Sequence, residues 1–98
     1  MKIMISQPMN GKSNEQIKEE RKELIKQLES EGHEVVDTVL AMETPKGIHE
    51  PIYYLAKSIE AMSLVDGVVF MKGWENARGC KIEHIIAKEY GLFVKEEK

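Results

Sequence analysis

Apolar residues in this chain fall into short continuous runs, separated by longer stretches in which they recur every three or four positions. The short runs lie within residues 2–6, 34–40, 67–71 and 92–94, and they are rich in Ile, Val and Phe. Short apolar runs with β-branched residues are typical of strands buried in a sheet. The pattern therefore predicts four strands.

The first helical stretch carries both a start and a stop signal. Ser13, with Gln16 three positions later, matches a capping box, and Gly32 is typical of the position that follows a helix. Between these signals lies a face with helical spacing, made of Ile17, Arg21, Leu24, Ile25 and Leu28. We therefore expect the first helix between Ser13 and Gly32.

Two later stretches have the same helical period. A polar loop with Pro45, Gly47 and Pro51 precedes the first of them, and a turn at Asp66 and Gly67 follows it. The second helix is marked by Ile52, Leu55, Ile59 and Met62. The third helix is predicted from about Gly79 to Tyr90, with Ile82, Ile85, Ile86 and Tyr90 as its apolar face and Gly91 as its end.

Strands and helices alternate as β-α-β-α-β-α-β over residues 1–98, which predicts one α/β domain. Right-handed crossovers give a three-layer α/β/α fold around a four-stranded parallel sheet, in the flavodoxin-like or Rossmann-like class. We expect the strand order 2-1-3-4. In that order the winding direction reverses between strands 1 and 3, so a crevice opens at their C-terminal ends between loops 7–13 and 72–79.

The length and the charge of the chain argue against several classes of function. A chain of 98 residues forms one small core, so a deep pocket would need a second subunit and we expect a homo-oligomer. The 17 acidic and 14 basic residues are mixed along the chain, which argues against a nucleic-acid polymer as partner. No apolar run approaches membrane-spanning length, the opening is too short for a signal peptide, and a single cysteine excludes an internal disulfide. We expect a soluble cytoplasmic protein.

Loop 72–79 and the helix start after it hold the densest chemistry in the sequence. Glu83 is predicted in about the first turn of the third helix, where the helix dipole favours an ionised carboxylate. Because helix side chains tilt toward the N-terminus, this carboxylate would reach the crevice and could act as a nucleophile at an anomeric carbon or as a base. The alternative is an acidic residue that merely stabilises the helix start.

The neighbours of Glu83 each have two interpretations. Gly79 allows close backbone approach to a ligand or forms a helix-entry turn, and Arg78 pairs with an anion or stays solvated. Trp74 stacks on a base or closes a core edge, and Asn76 binds a sugar or makes a turn.

Cysteine and histidine give no evidence for a metal. Cys80 is either a reactive thiol near a helix start or a small residue packed below the loop. His33, His49 and His84 are scattered without metal-ligand spacing, so neither a metal nor another cofactor is predicted.

The loop after the first strand is similar to the end of a phosphate-binding loop, with Gly11, Lys12 and Ser13 before a helix. The full motif needs glycine where Ser6 stands, and no aspartate ends a strand to hold magnesium, so NTP hydrolysis is disfavoured. A weaker prediction remains, in which loop N–H groups and Lys12 hold an anion at the helix N-terminus.

Over nearly its whole length the chain resembles the nucleoside 2-deoxyribosyltransferase-like superfamily, specifically its small bacterial and phage-associated branch of unassigned function. Three segments carry the resemblance: Ile3 to Gly11, Met62 to Phe70, and Ala77 to Glu83. In that superfamily a Gly-Thr-x-x-Glu pattern supplies the glutamate that attacks C1′ of the deoxyribose and displaces the base. The resemblance therefore implies an N-deoxyribosyltransferase or a nucleotide N-glycosidase.

The resemblance also implies the roles of individual residues. Gly79, Cys80 and Glu83 occupy the Gly, Thr and Glu positions, so Glu83 is similar to the catalytic nucleophile. The superfamily often has an aspartate two residues before the glycine, where this chain has Ala77, with Glu75 and Asn76 as the nearest substitutes. The expected ligand-binding residues are Ser6, Gln7, Pro8, Met9, Asn10, Gly11, Lys12, Ser13, Trp74, Asn76, Arg78, Gly79 and Cys80.

Two other functions remain open alongside catalysis at a nucleoside or nucleotide. The absent aspartate and the small size also suit a protein that binds or sequesters a nucleotide-derived signal, such as an ADP-ribose relative, without turnover. A structural module that forms oligomers through its loop residues, with Trp74 as anchor, is the third.

Overall fold

The computed structural model describes residues 1–36 and 46–98 and shows a four-stranded parallel sheet in the order β2-β1-β3-β4. Its strands are β1 (Lys2–Ser6), β2 (Glu34–Val36), β3 (Gly67–Phe70) and β4 (Phe93–Glu96). Its helices are α1 (Asn14–Ser30), α2 (Glu50–Met62) and α3 (Arg78–Glu89), with a 3₁₀ turn at Trp74–Asn76. The predicted α/β class and strand order are confirmed. Residues 37–40 of the predicted second strand, and Pro45 of the predicted loop, lie outside the described residues.

The signals that predicted α1 act as expected. The Ser13 side chain accepts a hydrogen bond from the Gln16 backbone N–H at 3.1 Å, which caps the helix start. After the last turn, Gly32 has a φ of 90°, a backbone angle that glycine adopts without a steric cost. Local sequence therefore determines both ends of α1.

The sheet has a hydrophobic core on each face. Alternate strand residues point to opposite faces, so Ile3 and Ile5 pack against α1 while Met4 packs on the other side. On the α1 face the core consists of Ile3, Ile5, Leu24, Leu28 and Val69. On the opposite face, under α2 and α3, it consists of Met4, Met62, Val65, Val68, Phe70 and Ala87.

The predicted apolar face of the third helix is wrong. Ile85 is 60% exposed and Tyr90 is 81% exposed, whereas α3 buries Cys80, Glu83 and Ala87. The buried face of α3 thus combines two small side chains with one carboxylate, and Ala87 is fully buried. Of the predicted apolar face, Ile86 alone packs against the core, as a half-buried residue.

Strands β3 and β4 approach each other closely at Gly67, which is paired with Phe93. A Cβ atom added to Gly67 would lie 2.8 Å from the Phe93 Cβ and 2.9 Å from its carbonyl oxygen. Glycine is therefore required by packing at this position. Within the described residues, no helix is long and apolar enough to cross a membrane.

Candidate functional site

A buried carboxylate lies at the C-terminal end of β1. The Ser6 hydroxyl donates a hydrogen bond of 3.1 Å to Oε2 of Glu83, which reaches it from α3. Ser6 is the last residue of β1 and pairs with Phe70, the last residue of β3. Glu83 therefore lies at the point where the winding direction of the sheet reverses, as the sequence predicted.

The protonation of Glu83 differs from the prediction. Burial raises its pKa to about 7, opposed by hydrogen bonding from Ser6, the positive charge of Arg21 and a weaker hydrogen bond from Ser58 on α2. Glu83 is the sixth residue of α3 rather than part of the first turn, and its side chain is 7% exposed. Loss of water therefore outweighs the helix dipole, and the carboxyl group titrates near neutral pH.

Cys80 lies beside this carboxylate, one turn before it on α3. Burial raises the pKa of its thiol, and the negative charge of Glu83 raises it further, against a hydrogen bond from Ser6. The thiol is therefore protonated at neutral pH and is buried below the loop. This environment suits a packing residue rather than a reactive one.

Gln7 follows Ser6 but faces the opposite side of the sheet, toward α1. Its side chain accepts a hydrogen bond of 3.1 Å from Arg21 and donates one of 3.0 Å to the Ile17 carbonyl oxygen. Both Gln7 and Arg21 are buried. The start of loop 7–13 is therefore fixed to α1 by buried hydrogen bonds.

Lys12 is already paired within the protein. Its amino group lies 2.9 Å from Oε1 of Glu20 on α1, and this contact lowers the pKa of Glu20. An anion at the α1 N-terminus would have to compete with Glu20 for Lys12. The phosphate-binding role predicted for Lys12 is therefore weakened.

The rest of loop 7–13 is mostly at the surface. Its exposed residues are Met9, Asn10, Gly11 and Ser13. Pro8 is half-buried, and a Cβ atom added to Gly73 would lie 3.8 Å from its Cγ. The backbone N–H of Met71 also donates to the carbonyl oxygen of Ser6 at 2.9 Å. Pro8 of the first loop and Gly73 of the second are therefore close to each other, next to the C-terminal ends of β1 and β3.

Trp74 packs into an aromatic cluster instead of facing the crevice alone. Its ring stacks on His84 at 4.1 Å between centroids, and His84 meets the edge of Phe70 at 4.9 Å. Nε2 of His84 lies 3.6 Å from a carboxylate oxygen of Glu96 on β4. One face of Trp74 is therefore occupied by a residue of its own chain.

The N-terminus of α3 is open. Ala77 is its N-cap residue and provides no side-chain hydrogen bond to the first turn. Arg78 and Asn76 are exposed, and a Cβ atom at Gly79 would meet nothing within 4 Å outside its own helix. The backbone N–H groups of the first helical turn are therefore available to a ligand.

A comparison with protein-family models matches residues 1–96 to the domain of unknown function DUF4406. The chain belongs to this family. Comparisons with curated proteins and with solved structures found no match. The family match covers almost the whole chain and names no activity.

Three residues around Glu83 were not predicted as functional. Arg21 has the helical spacing of the buried α1 face, so a charged residue among apolar positions was an available signal. Ser58 occurs on α2, and only the packing of α2 against α3 brings it near Glu83. His84 follows Glu83 directly, but its stacking on Trp74 depends on the 3₁₀ turn.

Other features of the surface lie away from Glu83. A groove of about 450 Å³ runs along α1, lined by Glu20, Glu23, Leu24, Lys26, Gln27, Met71 and Glu97. It shares none of these residues with the Ser6–Glu83 contact, so we do not assign the ligand site to it. Within the described residues, no group of three or more His, Cys, Asp or Glu side chains is arranged to hold a metal ion.

Proposed function

We propose that this protein binds a nucleoside or nucleotide in the crevice between loops 7–13 and 72–79, and that Glu83 acts there as a nucleophile on the N-glycosidic bond. The observation that carries the proposal is the buried Glu83 carboxylate held by Ser6 at the C-terminal end of β1. Open α/β sheets bind ligands at this position. The resemblance of residues 77–83 to the deoxyribosyltransferase pattern supplies the reaction class.

The reaction has two steps. An oxygen of ionised Glu83 forms a bond to C1′ while the bond from C1′ to the base nitrogen breaks, and the base leaves with that electron pair. Water or a second base then attacks C1′ and releases the carboxylate, which gives hydrolysis or transfer. With a pKa of about 7, roughly half of Glu83 is ionised at neutral pH and competent for the first step.

The α3 N-terminus supports the binding part of the proposal. Its first-turn N–H groups, uncapped by Ala77, provide donors for sugar or phosphate oxygens. Gly79 leaves open space for close approach of a ligand to the backbone. Arg78 is exposed next to these groups and supplies a positive charge.

Binding without turnover is the second candidate. Glu83 is only 7% exposed, and Ala77 leaves the site without the aspartate that the superfamily often has. A protein that sequesters a nucleotide-derived signal needs neither an accessible nucleophile nor a second acid. Ligand recovered unchanged from the protein would favour this function.

For assembly, we propose a cytoplasmic homo-oligomer with no nucleic-acid polymer as partner. Exposed apolar residues on α2 and α3, including Ile52 and Ile85, support subunit contact. A structural oligomerisation module would instead use its loop residues, with Trp74 as anchor. Only that module predicts no response of thermal stability to a panel of nucleosides and nucleotides.

The test is incubation with deoxynucleosides and deoxynucleoside 5′-monophosphates, followed by chromatography of free and exchanged base. We expect base release or exchange by the native chain and its loss in Glu83→Gln. Glu89→Gln, an exposed residue on the same helix, is the matched control and should retain activity. Absence of base release from every substrate at high protein concentration would refute catalysis.

A further inference from the structure

Arg21 is an unusual residue for a surface helix, because its side chain is only 3% exposed. Its α1 neighbours Lys22 and Glu23 are both exposed. Burying a guanidinium removes it from water, which is costly unless hydrogen bonds and an opposite charge compensate. Arg21 therefore needs buried hydrogen-bond partners, and Gln7 is one of them.

Hydrogen bonding connects Arg21 to the start of the crevice loop. Its Nη1 donates to Oε1 of Gln7 at 3.1 Å, and Gln7 continues to the Ile17 carbonyl oxygen at 3.0 Å. Gln7 immediately follows Ser6, which holds Glu83 on the other face of the sheet. Two consecutive residues thus connect a buried guanidinium on one face with a buried carboxylate on the other.

Within the described residues, the groups whose hydrogen bonds or charge shift the pKa of Glu83 lie on β1, α1 and α2. Ser6 on β1 and Ser58 on α2 are uncharged donors, and Cys80 on α3 carries a protonated thiol. The charge that acts on the carboxylate is that of Arg21 on α1, and it favours the ionised form. Among the described residues, Arg21 is the positively charged group whose charge lowers the pKa of Glu83.

We infer that Arg21 is a positioning residue of the Glu83 site, which fixes the crevice loop through Gln7 and maintains the ionised nucleophile from the opposite face of the sheet. The role of Arg21 in catalysis rests on the proposed function, in which Glu83 is the nucleophile. The effect of the Arg21 charge on the pKa of Glu83 is measurable without a substrate. Arg21 donates a hydrogen bond to Gln7 and acts on Glu83 through its charge.

The experiment is a carbon-13 NMR titration of the Glu83 carboxyl carbon in the native chain and in Arg21→Met. We expect the midpoint to rise by about one pH unit, because an opposite charge nearby commonly lowers a carboxyl pKa by that amount or more. Lys22→Met, which removes one positive charge from an exposed neighbouring position, should leave the midpoint unchanged. An unchanged midpoint in Arg21→Met would overturn the inference.

Arg21→Lys provides a second variant in case Arg21→Met does not fold. It keeps the charge and loses the guanidinium geometry at Gln7, so we expect a midpoint close to that of the native chain. A midpoint as high as that expected for Arg21→Met would overturn the electrostatic role.

Turnover, where present, gives a separate readout. A midpoint raised from about 7 by one unit lowers the ionised fraction at pH 7 about fivefold, so the rate in Arg21→Met should fall about fivefold at pH 7 and recover at high pH. A loss of rate that persists equally at high pH would contradict this role. If no variant shows turnover but the NMR midpoint still rises, the proposed catalysis fails while the charge coupling stands.

Discussion

Glu83 makes the folded state bind a proton more tightly than the unfolded chain does. Its pKa is about 7 in the folded protein against an ordinary value of 4.5. Between these values the native state holds more protons, so this group makes folding less favourable as pH rises from about 4.5 to about 7. Above that window the full cost is present, on the order of 3 kcal/mol.

Glu83→Gln should therefore stabilise the protein at alkaline pH. A neutral amide of similar shape avoids burying the charge and still accepts a hydrogen bond from Ser6, so we expect a gain of about 2 kcal/mol at pH 8 and little change at pH 4.5. Urea denaturation at both pH values measures the difference. Glu89→Gln, exposed on the same helix, should show no comparable pH dependence. An equal effect of Glu83→Gln at both pH values would contradict the assignment.

The sequence predicted where the Glu83 carboxylate lies but not its protonation state. Glu83 was placed near the crevice because it follows the predicted start of the third helix closely and helix side chains tilt toward the N-terminus. Its pKa depends on burial, which raises it, and on hydrogen bonds from residues distant in sequence, Ser6 and Ser58, which lower it. Solvent exclusion of this kind is a property of tertiary packing, which no local pattern encodes.

Among the elements, α1 shows how well local signals determine a helix end. Ser13→Ala should cost about 1 kcal/mol, because the Gln16 N–H then loses its side-chain acceptor at the helix start. Ser13→Asp should retain most of the stability, because a carboxylate also accepts at this position. Thermal unfolding of the two variants compares them. An equal loss in both would show that the cap is not what stabilises this end.

The β3–β4 pair depends on a glycine that has no positive φ. We expect Gly67→Ala to cost about 1–3 kcal/mol, because the added methyl group would lie 2.8 Å from the Phe93 Cβ and push the strands apart. Urea denaturation measures the loss. Gly79→Ala is the contrasting control, because space is open there and alanine favours a helix, so its stability should be unchanged or slightly higher. A neutral Gly67→Ala would show that the strands adjust without cost.

The third helix shows where periodicity fails at the level of elements. Counting apolar residues selected Ile82, Ile85, Ile86 and Tyr90, of which Ile86 alone packs against the core. The helix instead buries the face with Cys80, Glu83 and Ala87. The buried face is chosen by how the chain leaves β3 and by how closely a helix with small side chains packs on the sheet. The exposed apolar residues of α3 recur with the same helical spacing as its buried residues. Spacing alone therefore cannot tell the buried face from the exposed face.

At the scale of the whole molecule, the order and direction of the strands were predictable because crossover handedness and chain alternation leave few arrangements. Which apolar residues of the helices are buried was not predictable, because this depends on which side chains the single core has room to bury. Met62 is the buried residue of α2, while Ile52 is 65% exposed. A small domain thus retains apolar surface that its own core does not cover.

This surface leads to a prediction about assembly. If α2 and α3 form a subunit contact, the native chain should have a molar mass in solution that is a multiple of 11.2 kDa. The double variant Ile52→Lys, Ile85→Lys places two charges in that contact and should shift the protein to the monomer, because unpaired charges in a buried interface are strongly unfavourable. Light scattering after size-exclusion chromatography measures both masses. Glu89→Lys, a charge change at an exposed polar position on α3, should leave the assembly unchanged, and a native chain that stays at the monomer mass at all concentrations would rule the contact out.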